Sequence, residues 1–175
     1  NQASGQITLY SDTTLYAGWE AIAARLIFVS DGGSRIPAIK AEYGTVVNLE
    51  DYTSTKDGYV FLGWYTDIDY TCKAEGQITL TGDTVLYARW KIRRQILRFE
   101  TNGGSEIDAV REDWGFTVNL EKYIPAKDGY IFAGLYTEAA CTQKADSQIT
   151  LKSDTTLYAG WKTADTADVK PQSKS

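Results

Sequence analysis

The chain has 175 residues, of which 43% are hydrophobic, and its 23 acidic residues outnumber its 18 basic residues to give a net charge of −5. This apolar content suffices for one or two ordinary cores and excludes a wholly disordered chain. The acidic balance argues against a nucleic-acid partner and against binding to anionic lipid, because both need a basic surface. No segment reaches about 18 consecutive apolar residues, so we expect no membrane insertion.

The first element in the chain is one that recurs. Residues 6–19 read QITLYSDTTLYAGW, and nearly the same segment begins again at 77 and at 148, a spacing of 71 residues each time. Residues 20–90 align with 91–161 without a gap, which indicates two copies of one small folded unit. We therefore predict the closing end of a truncated preceding repeat, two complete repeats, and a disordered tail or linker. Their bounds are 1–20, 21–91 (repeat 1), 92–163 (repeat 2) and 164–175.

Each repeat is predicted to consist mainly of strands that end at tight turns. In repeat 1 the alternating segment RLIFVS stops at a Gly-Gly pair, and Asp57-Gly58 turns the chain into the strong strand YVFLGWYT. A second strand and a short helix or turn are expected between them. The repeat closes with QITL, a turn and the strand TVLYARW. The predicted ranges are 25–30 for the first strand, 38–43 for the second strand, 45–52 for the short helix or turn, 59–66 for the strong strand and 84–90 for the closing strand.

Alternation predicts which face of each strand is buried. In the closing strand, period two places Leu86, Ala88 and Trp90 on one face, which we expect to be the core, and residues 15–19 repeat this pattern. In the central strand, Phe61 and Trp64 cannot share a face under strict alternation. Either both faces are covered or Gly63 marks a bulge.

The order of motifs resembles a known family. NGGS, a YGTxV-like segment, KDGYxFxGWYT and DTTLYAxW together resemble the Listeria–Bacteroides repeat, a family that includes the internalin B-repeat. The resemblance implies an α+β but β-rich fold, namely tandem β-grasp (ubiquitin-like) small domains in an elongated array. It also implies a bacterial cell-surface or secreted location, and it brings no catalytic residues with it.

Few residues here could support catalysis. The chain has no His, which removes the usual base and the commonest transition-metal ligand, so we predict neither an enzyme nor a cofactor or metal site. Asp67 and Asp69 have the spacing of a calcium loop but lack its glycine and closing glutamate, which favours a solvated acidic loop. Cys72 and Cys141 align with different residues of the other repeat. Two free thiols are expected, with a bridge between the loops as the alternative.

Aromatic side chains raise the possibility of sugar stacking. Most of them occupy repeated strand positions, and Trp64 is replaced by Leu135 in repeat 2, which is typical of a core position. Tyr70, Trp114 and Tyr123 are less constrained, so these three remain candidates for an interaction surface.

The first strand of repeat 1 also has an apolar outer face. Ile27 and Val29 lie opposite the core residues, whereas repeat 2 has Arg98 and Glu100 at these positions. Ile22 extends this outer strip (Ile22, Ile27 and Val29). We predict that it docks residues 1–20 or a second chain, since such patches usually have partners. The alternative is that the strip is covered within its own repeat.

The sequence as a whole predicts a non-catalytic tandem module that acts as a stalk or spacer in adhesion or host interaction. The junction WKIRRQIL lacks Gly, Ser and Pro, so neighbouring repeats should form a semi-rigid array. Partners of this function would be a host or matrix protein or a glycan, besides neighbouring repeats. Alternatives are a glycan- or protein-recognition module that binds through loops 66–76 and 137–147, and an accessory domain of a larger secreted enzyme.

Overall fold

The computed structural model describes residues 5–6 and 8–164, which form thirteen strands and one short 3-10 helix. In repeat 1 these are β1 (Ala23–Val29), β2 (Ile39–Glu42), β3 (Val46–Asn48), the 3-10 helix (Leu49–Asp51), β4 (Tyr59–Tyr65), β5 (Lys73–Ala74), β6 (Gln77–Thr79) and β7 (Thr84–Ile92). In repeat 2 they are β8 (Arg94–Glu100), β9 (Val110–Asp113), β10 (Thr117–Asn119), β11 (Tyr130–Tyr136), β12 (Gln148–Thr150) and β13 (Thr155–Thr163).

Each repeat contains one mixed sheet and one two-stranded ribbon. In repeat 1 the sheet order is β2-β1-β7-β4-β5, and the first and closing strands, β1 and β7, run parallel at its centre. The ribbon pairs β3 with β6. Repeat 2 has the order β9-β8-β13-β11 and the ribbon β10-β12, so it repeats the same topology without the counterpart of β5. That counterpart is reduced to a single bridge between Tyr136 and Lys144.

The closing strand is anchored at its start by an aspartate in the preceding turn. The carboxylate of Asp83 accepts the N–H of Arg25 at 2.9 Å, and in repeat 2 Asp154 accepts the N–H of Ile96 at 3.0 Å. The first strand therefore begins beside the closing strand in both repeats. A slip of one residue would turn every side chain of the strand to the other face. This hydrogen bond ties the start of the first strand to one position and so favours the observed parallel register.

Each repeat has its own core, between one face of the sheet and the ribbon. Alternation correctly predicted the buried face of the first and closing strands, since Leu26, Phe28, Leu86 and Ala88 are all buried. Trp90, the third residue of the predicted face, is half-buried and packs against this core. The ribbon and the 3-10 helix contribute further buried side chains such as Leu49. The equivalent residues of repeat 2 form a second cluster of the same kind.

A bulge resolves the conflict in the central strand. The register between β4 and β7 shifts between Phe61 and Gly63, and Gly63 has φ of +122°. The shift lets Phe61 and Trp64 meet, with ring centroids 5.2 Å apart. Gly134 repeats the bulge in repeat 2 with φ of +131°. Of the two alternatives that the sequence left open, the bulge is confirmed.

The fold prediction is confirmed in part. The β-rich half of the fold prediction is confirmed, but the helical half is not, because the only helix in the described residues is the 3-10 turn at Leu49–Asp51. Residues 8–20 form no strand, and Trp19 is 91% exposed, so this copy of the closing segment is not part of a core. In each complete repeat the closing strand lies between the first and the central strand. β7 and β13 already hold this position, so neither sheet has a place for residues 8–20. The predicted tail lies outside the described residues apart from Ala164.

Candidate functional site

Three motifs that the two repeats share meet in one structural cluster. The indole N–H of Trp90 donates to the carbonyl of Ser30 at 3.0 Å, and the ring packs so closely on Gly33 that no Cβ would fit there. The ammonium of Lys56 donates to the carbonyl of Asp31 at 2.7 Å and lies 4.7 Å from the ring centre of Tyr59. Repeat 2 forms the same contacts. The GGS turn, the KDGY motif and the closing Trp thus stabilise one another, and the half-buried ring of Trp90 has a structural role in this cluster.

The acidic loop after β4 is held by its own backbone. The carboxylate of Asp67 accepts the N–H of Thr71 at 2.9 Å and that of Cys72 at 2.7 Å. These hydrogen bonds, that of Thr71 first, hold the pKa of Asp67 below its ordinary value of 3.8. Glu138 has the same role in repeat 2, where it accepts the N–H of Gln143 at 3.1 Å. Asp67 is therefore a loop-ordering residue, and no group of three metal-ligating side chains occurs among the described residues.

Tyr70 lies at the tip of this loop and contributes to a stack that repeat 2 lacks. Its ring meets that of Tyr65 edge to face at 5.6 Å, and the guanidinium of Arg89 lies over both rings at 5.6 and 5.4 Å. In repeat 2 Gly160 replaces Arg89 and is covered by Tyr136. The two loops thus share one anchored frame and present different side chains.

The two cysteines are free, as the sequence predicts. Cys72 is exposed, whereas Cys141 is half-buried, with its Sγ 3.9 Å from the carbonyl oxygen of Ala159.

The outer strip of repeat 1 is only partly covered. Ile27 is half-buried, Val29 is 40% exposed and Ile22 is 73% exposed. Ile27 and Val29 face away from the core and stand beside Val85 and Tyr87 in the parallel pairing of β1 with β7. Because residues 8–20 are all exposed, they do not cover the strip in this structure. Docking of a second chain on the strip stays a prediction.

The two repeats meet at a single residue whose backbone is hydrogen-bonded to both of them. β7 ends at Ile92 and β8 begins at Arg94, so only Arg93 lies between them. The N–H of Arg93 donates to the carbonyl of Gly58 in repeat 1, and its carbonyl accepts the N–H of Trp114 in repeat 2, both at 2.8 Å. Its guanidinium Nε also donates to the carbonyl of Tyr59 at 3.2 Å. The one residue of the connection is therefore held by hydrogen bonds to both repeats.

Trp114 completes this contact with its side chain. The indole ring lies against Gly58, at the place where any other residue would carry its Cβ. Gly58 has φ of +77°, a conformation that glycine adopts without strain. Both Gly58 and Tyr59 are half-buried, whereas their counterparts in repeat 2, Gly129 and Tyr130, are exposed. We call Gly58, Tyr59, Arg93 and Trp114 the joint.

The predicted interaction residues therefore do not form one site. Trp114 lies at the joint, Tyr70 at a loop tip, and Ile27 and Val29 on the outer face of the sheet. Ile22 lies just before β1, and Tyr123 packs half-buried against the core of repeat 2. Sequence reasoning missed the parts played by Gly58 and Arg93. The sequence did contain a signal for this contact, because an aromatic residue occurs at both 43 and 114 and an Asp-Gly pair at both 57–58 and 128–129.

Comparison with known proteins gives two kinds of match. A family model described as the Listeria-Bacteroides repeat domain matches the chain twice, over residues 25–89 and 96–160. A protein of Evansella cellulosilytica that is named as a candidate membrane protein is 36% identical over 156 residues, which is 88% of this chain and 23% of that relative. A second protein of this organism, named as a candidate Gly-rich membrane protein, is 36% identical over 150 residues, 85% of this chain and 17% of the relative.

The chain thus spans less than a quarter of the length of either relative. Within the part of the chain that the structure describes, no helix is both long and apolar enough to cross a bilayer.

Proposed function

This chain belongs to the Listeria-Bacteroides repeat family, and on that premise we propose that it is a non-catalytic spacer whose neighbouring repeats are held in a fixed orientation. The observation that carries the proposal is the joint. A single connecting residue is hydrogen-bonded to both repeats, and an indole ring of one repeat packs on the backbone of the other. Tandem domains joined by flexible linkers reorient freely, whereas a spacer that sets a distance has to resist bending.

The strand order supports a β-grasp assignment for each repeat. A mixed sheet with the first and last long strands parallel at its centre is the arrangement that the family resemblance implies, here without the covering α-helix. The sheet therefore has one face on the core and leaves the other available for contacts.

The location that we propose is the bacterial cell envelope. Both relatives are named as candidate membrane proteins, and most of their length lies outside the matched region. A spacer of this kind would present a neighbouring adhesive domain to a host or matrix ligand.

The experiment that tests the spacer uses the thiols of the chain itself. Cys72 takes one spin label, and the pair Cys141→Tyr and Gln143→Cys moves the second thiol to the equivalent exposed position in repeat 2. Double electron–electron resonance then measures the distance distribution between the two repeats. We expect one narrow distribution, which Trp114→Ala broadens.

The matched control is Tyr43→Ala, because Tyr43 holds the same position in repeat 1 but lies away from the joint. It should leave the distribution unchanged. A broad distribution in the chain with an intact Trp114 would overturn the spacer proposal.

A second function is favoured by the differing loops. Loops 66–76 and 137–147 have the same carboxylate-anchored frame, yet only repeat 1 carries the Tyr65, Tyr70 and Arg89 stack. Such a frame can present different ligand-binding side chains without changing the fold. The test is a screen of the labelled chain against glycans and matrix proteins. A saturable hit that is lost when loop 66–76 is replaced by loop 137–147 supports recognition, and a hit that survives the exchange contradicts it.

A further inference from the structure

The joint also occurs in half-formed versions at both ends of the repeat pair. We propose that the surface formed by Ile22 and Tyr43 docks the Asp-Gly turn of another repeat of the same kind, and that the turn at Gly129 receives the aromatic side chain of a following repeat. This inference rests on the proposed spacer function, because it extends the observed joint to partners outside the pair.

The backbone half of the joint is already in place at each end. At the front, the N–H of Tyr43 donates to the carbonyl of Ile22 at 2.7 Å, just as Trp114 donates to Arg93. At the back, the N–H of Ala164 donates to the carbonyl of Gly129 at 3.0 Å, just as Arg93 donates to Gly58. Ile22 and Ala164 thus hold the position of Arg93. Each makes one of the two backbone hydrogen bonds of Arg93, Ile22 through its carbonyl and Ala164 through its N–H.

The side-chain half is exposed and complementary. Nothing in the described structure lies within 4 Å of the place where a Cβ of Gly129 would stand, although its φ of +78° matches the +77° of Gly58. Tyr43 is 58% exposed and Tyr130 is 44% exposed, whereas Trp114 and Tyr59 at the joint are half-buried. One end therefore offers an aromatic ring, and the other offers a bare glycine backbone of the kind that such a ring covers.

The occupant that fits these ends is a repeat, because the joint shows the same two surfaces in contact. The contact is heterologous: the front surface of one repeat meets the back surface of the next. Such contacts leave an unused surface at each end of the pair, so the same contact can be repeated by a further repeat. Tyr43 and Ile22 would then contact a preceding repeat, and Gly129 and Tyr130 a following one.

The experiment extends the full chain by one in-register copy. A second copy of residues 22–163 is inserted after Thr163, so that Ile22 of the inserted copy follows Thr163 as Arg93 follows Ile92. The original part is isotope-labelled by ligation, and the Hα resonances of Gly58 and Gly129 are compared with those of the unextended chain. The indole N–H resonances of Trp90 and Trp161 report that each labelled repeat is folded.

An aromatic ring that packs on glycine shifts its Hα resonances upfield. In the unextended chain we expect this shift at Gly58 alone, and Trp114→Ala should remove it. In the extended chain Gly129 should shift in the same direction. Tyr43→Ala in the inserted copy should abolish the Gly129 shift, while Tyr43→Ala in the original copy should leave it.

The outcomes separate the two proposals. If Gly58 is shifted and Gly129 does not move on extension, the end surfaces are not docking sites and this inference is wrong, while the spacer stands. If Gly58 shows no shift that depends on Trp114, the joint itself is absent and the proposed function fails first.

Discussion

Substituting alanine at Gly58 and at Gly129 separates the contribution of the joint from that of the backbone turn. Both glycines follow an aspartate, have nearly the same positive φ, and have carbonyls that accept an equivalent hydrogen bond. They differ in what packs on them: Trp114 covers Gly58, whereas among residues 8–164 nothing beyond its chain neighbours lies within 4 Å of the Cβ position of Gly129. Gly129→Ala is therefore the matched control for Gly58→Ala.

The two costs can be worked from this difference. An L-residue in the left-handed region costs about 1–2 kcal/mol, and both variants pay that amount. Gly58→Ala also drives its Cβ into the indole of Trp114, and such overpacking costs about 1–3 kcal/mol more. The additional cost cannot exceed the free energy of the joint, because the repeats can separate to relieve the overlap. We therefore expect Gly58→Ala to destabilise repeat 1 by about 1–3 kcal/mol more than Gly129→Ala destabilises repeat 2.

The assay is urea unfolding followed at one indole N–H resonance per repeat, Trp90 for repeat 1 and Trp161 for repeat 2. Both indoles are hydrogen-bonded within their own repeat, so each resonance reports on that repeat alone. Adding Trp114→Ala to Gly58→Ala should recover the additional loss. Equal losses in the two glycine variants, with coupling between Gly58 and Trp114 below about 0.5 kcal/mol, would refute the packing argument.

Three further predictions concern the rest of the chain. Replacing Ile27 by Arg and Val29 by Glu, as repeat 2 has them, should leave the melting temperature nearly unchanged and weaken self-association if the outer strip docks a second chain. The pKa of Asp67 is lowered in the fold, so the stabilisation of its loop is present above the ordinary value of 3.8 and is lost as the pH falls through the lower folded pKa; Asp67→Asn should abolish this titration at the backbone amides that follow it. Trp64→Leu should destabilise repeat 1 by about 2–4 kcal/mol in urea unfolding. The smaller side chain leaves a cavity in the core, and the carbonyl of Tyr52 loses the hydrogen bond from the indole.

Each of these has a contrary outcome. Sedimentation that shows the same self-association in the Ile27 and Val29 double variant would exclude the strip as a docking surface. Amides that shift at or above pH 3.8 would show that the carboxylate of Asp67 does not hold the loop. The control for Trp64→Leu is Leu135→Trp, which should cost about 1–3 kcal/mol through overpacking; a stabilised repeat 2 would mean that the position accepts Trp in either core.

The sequence predicted well what depends on neighbours along the chain. Alternation along the first and closing strands identified Leu26 and Leu86 as core residues, because a strand in a one-sided sheet imposes period two. Phe61 and Trp64 broke that period, which pointed to a bulge at Gly63 as one of two solutions. The missing calcium-loop residues likewise favoured a solvated acidic loop, and Asp67 orders that loop through its backbone.

Contacts between repeats could not be predicted from the sequence. Trp114 has the pattern of a weakly constrained aromatic residue, since its partner Gly58 lies in the other repeat and the alignment of the repeats places Trp114 opposite Tyr43. The α+β label came from the family resemblance and not from any helical periodicity. The sequence itself predicted only a short helix or turn within 45–52, and the 3-10 helix at Leu49–Asp51 lies there. The closing segment at 15–19 has the core pattern but no strand to pair with, and a pattern alone does not supply a partner.

The most direct test of a fixed joint is the measurement of residual dipolar couplings on the weakly aligned full chain, fitted separately for repeat 1 and repeat 2. Two repeats that are held by Arg93 and Trp114 should share one alignment tensor, with the same magnitude and orientation, and Trp114→Ala should make the two tensors diverge. Tensors of different magnitude in the unsubstituted chain would mean that the repeats reorient independently, and the spacer account would then be wrong.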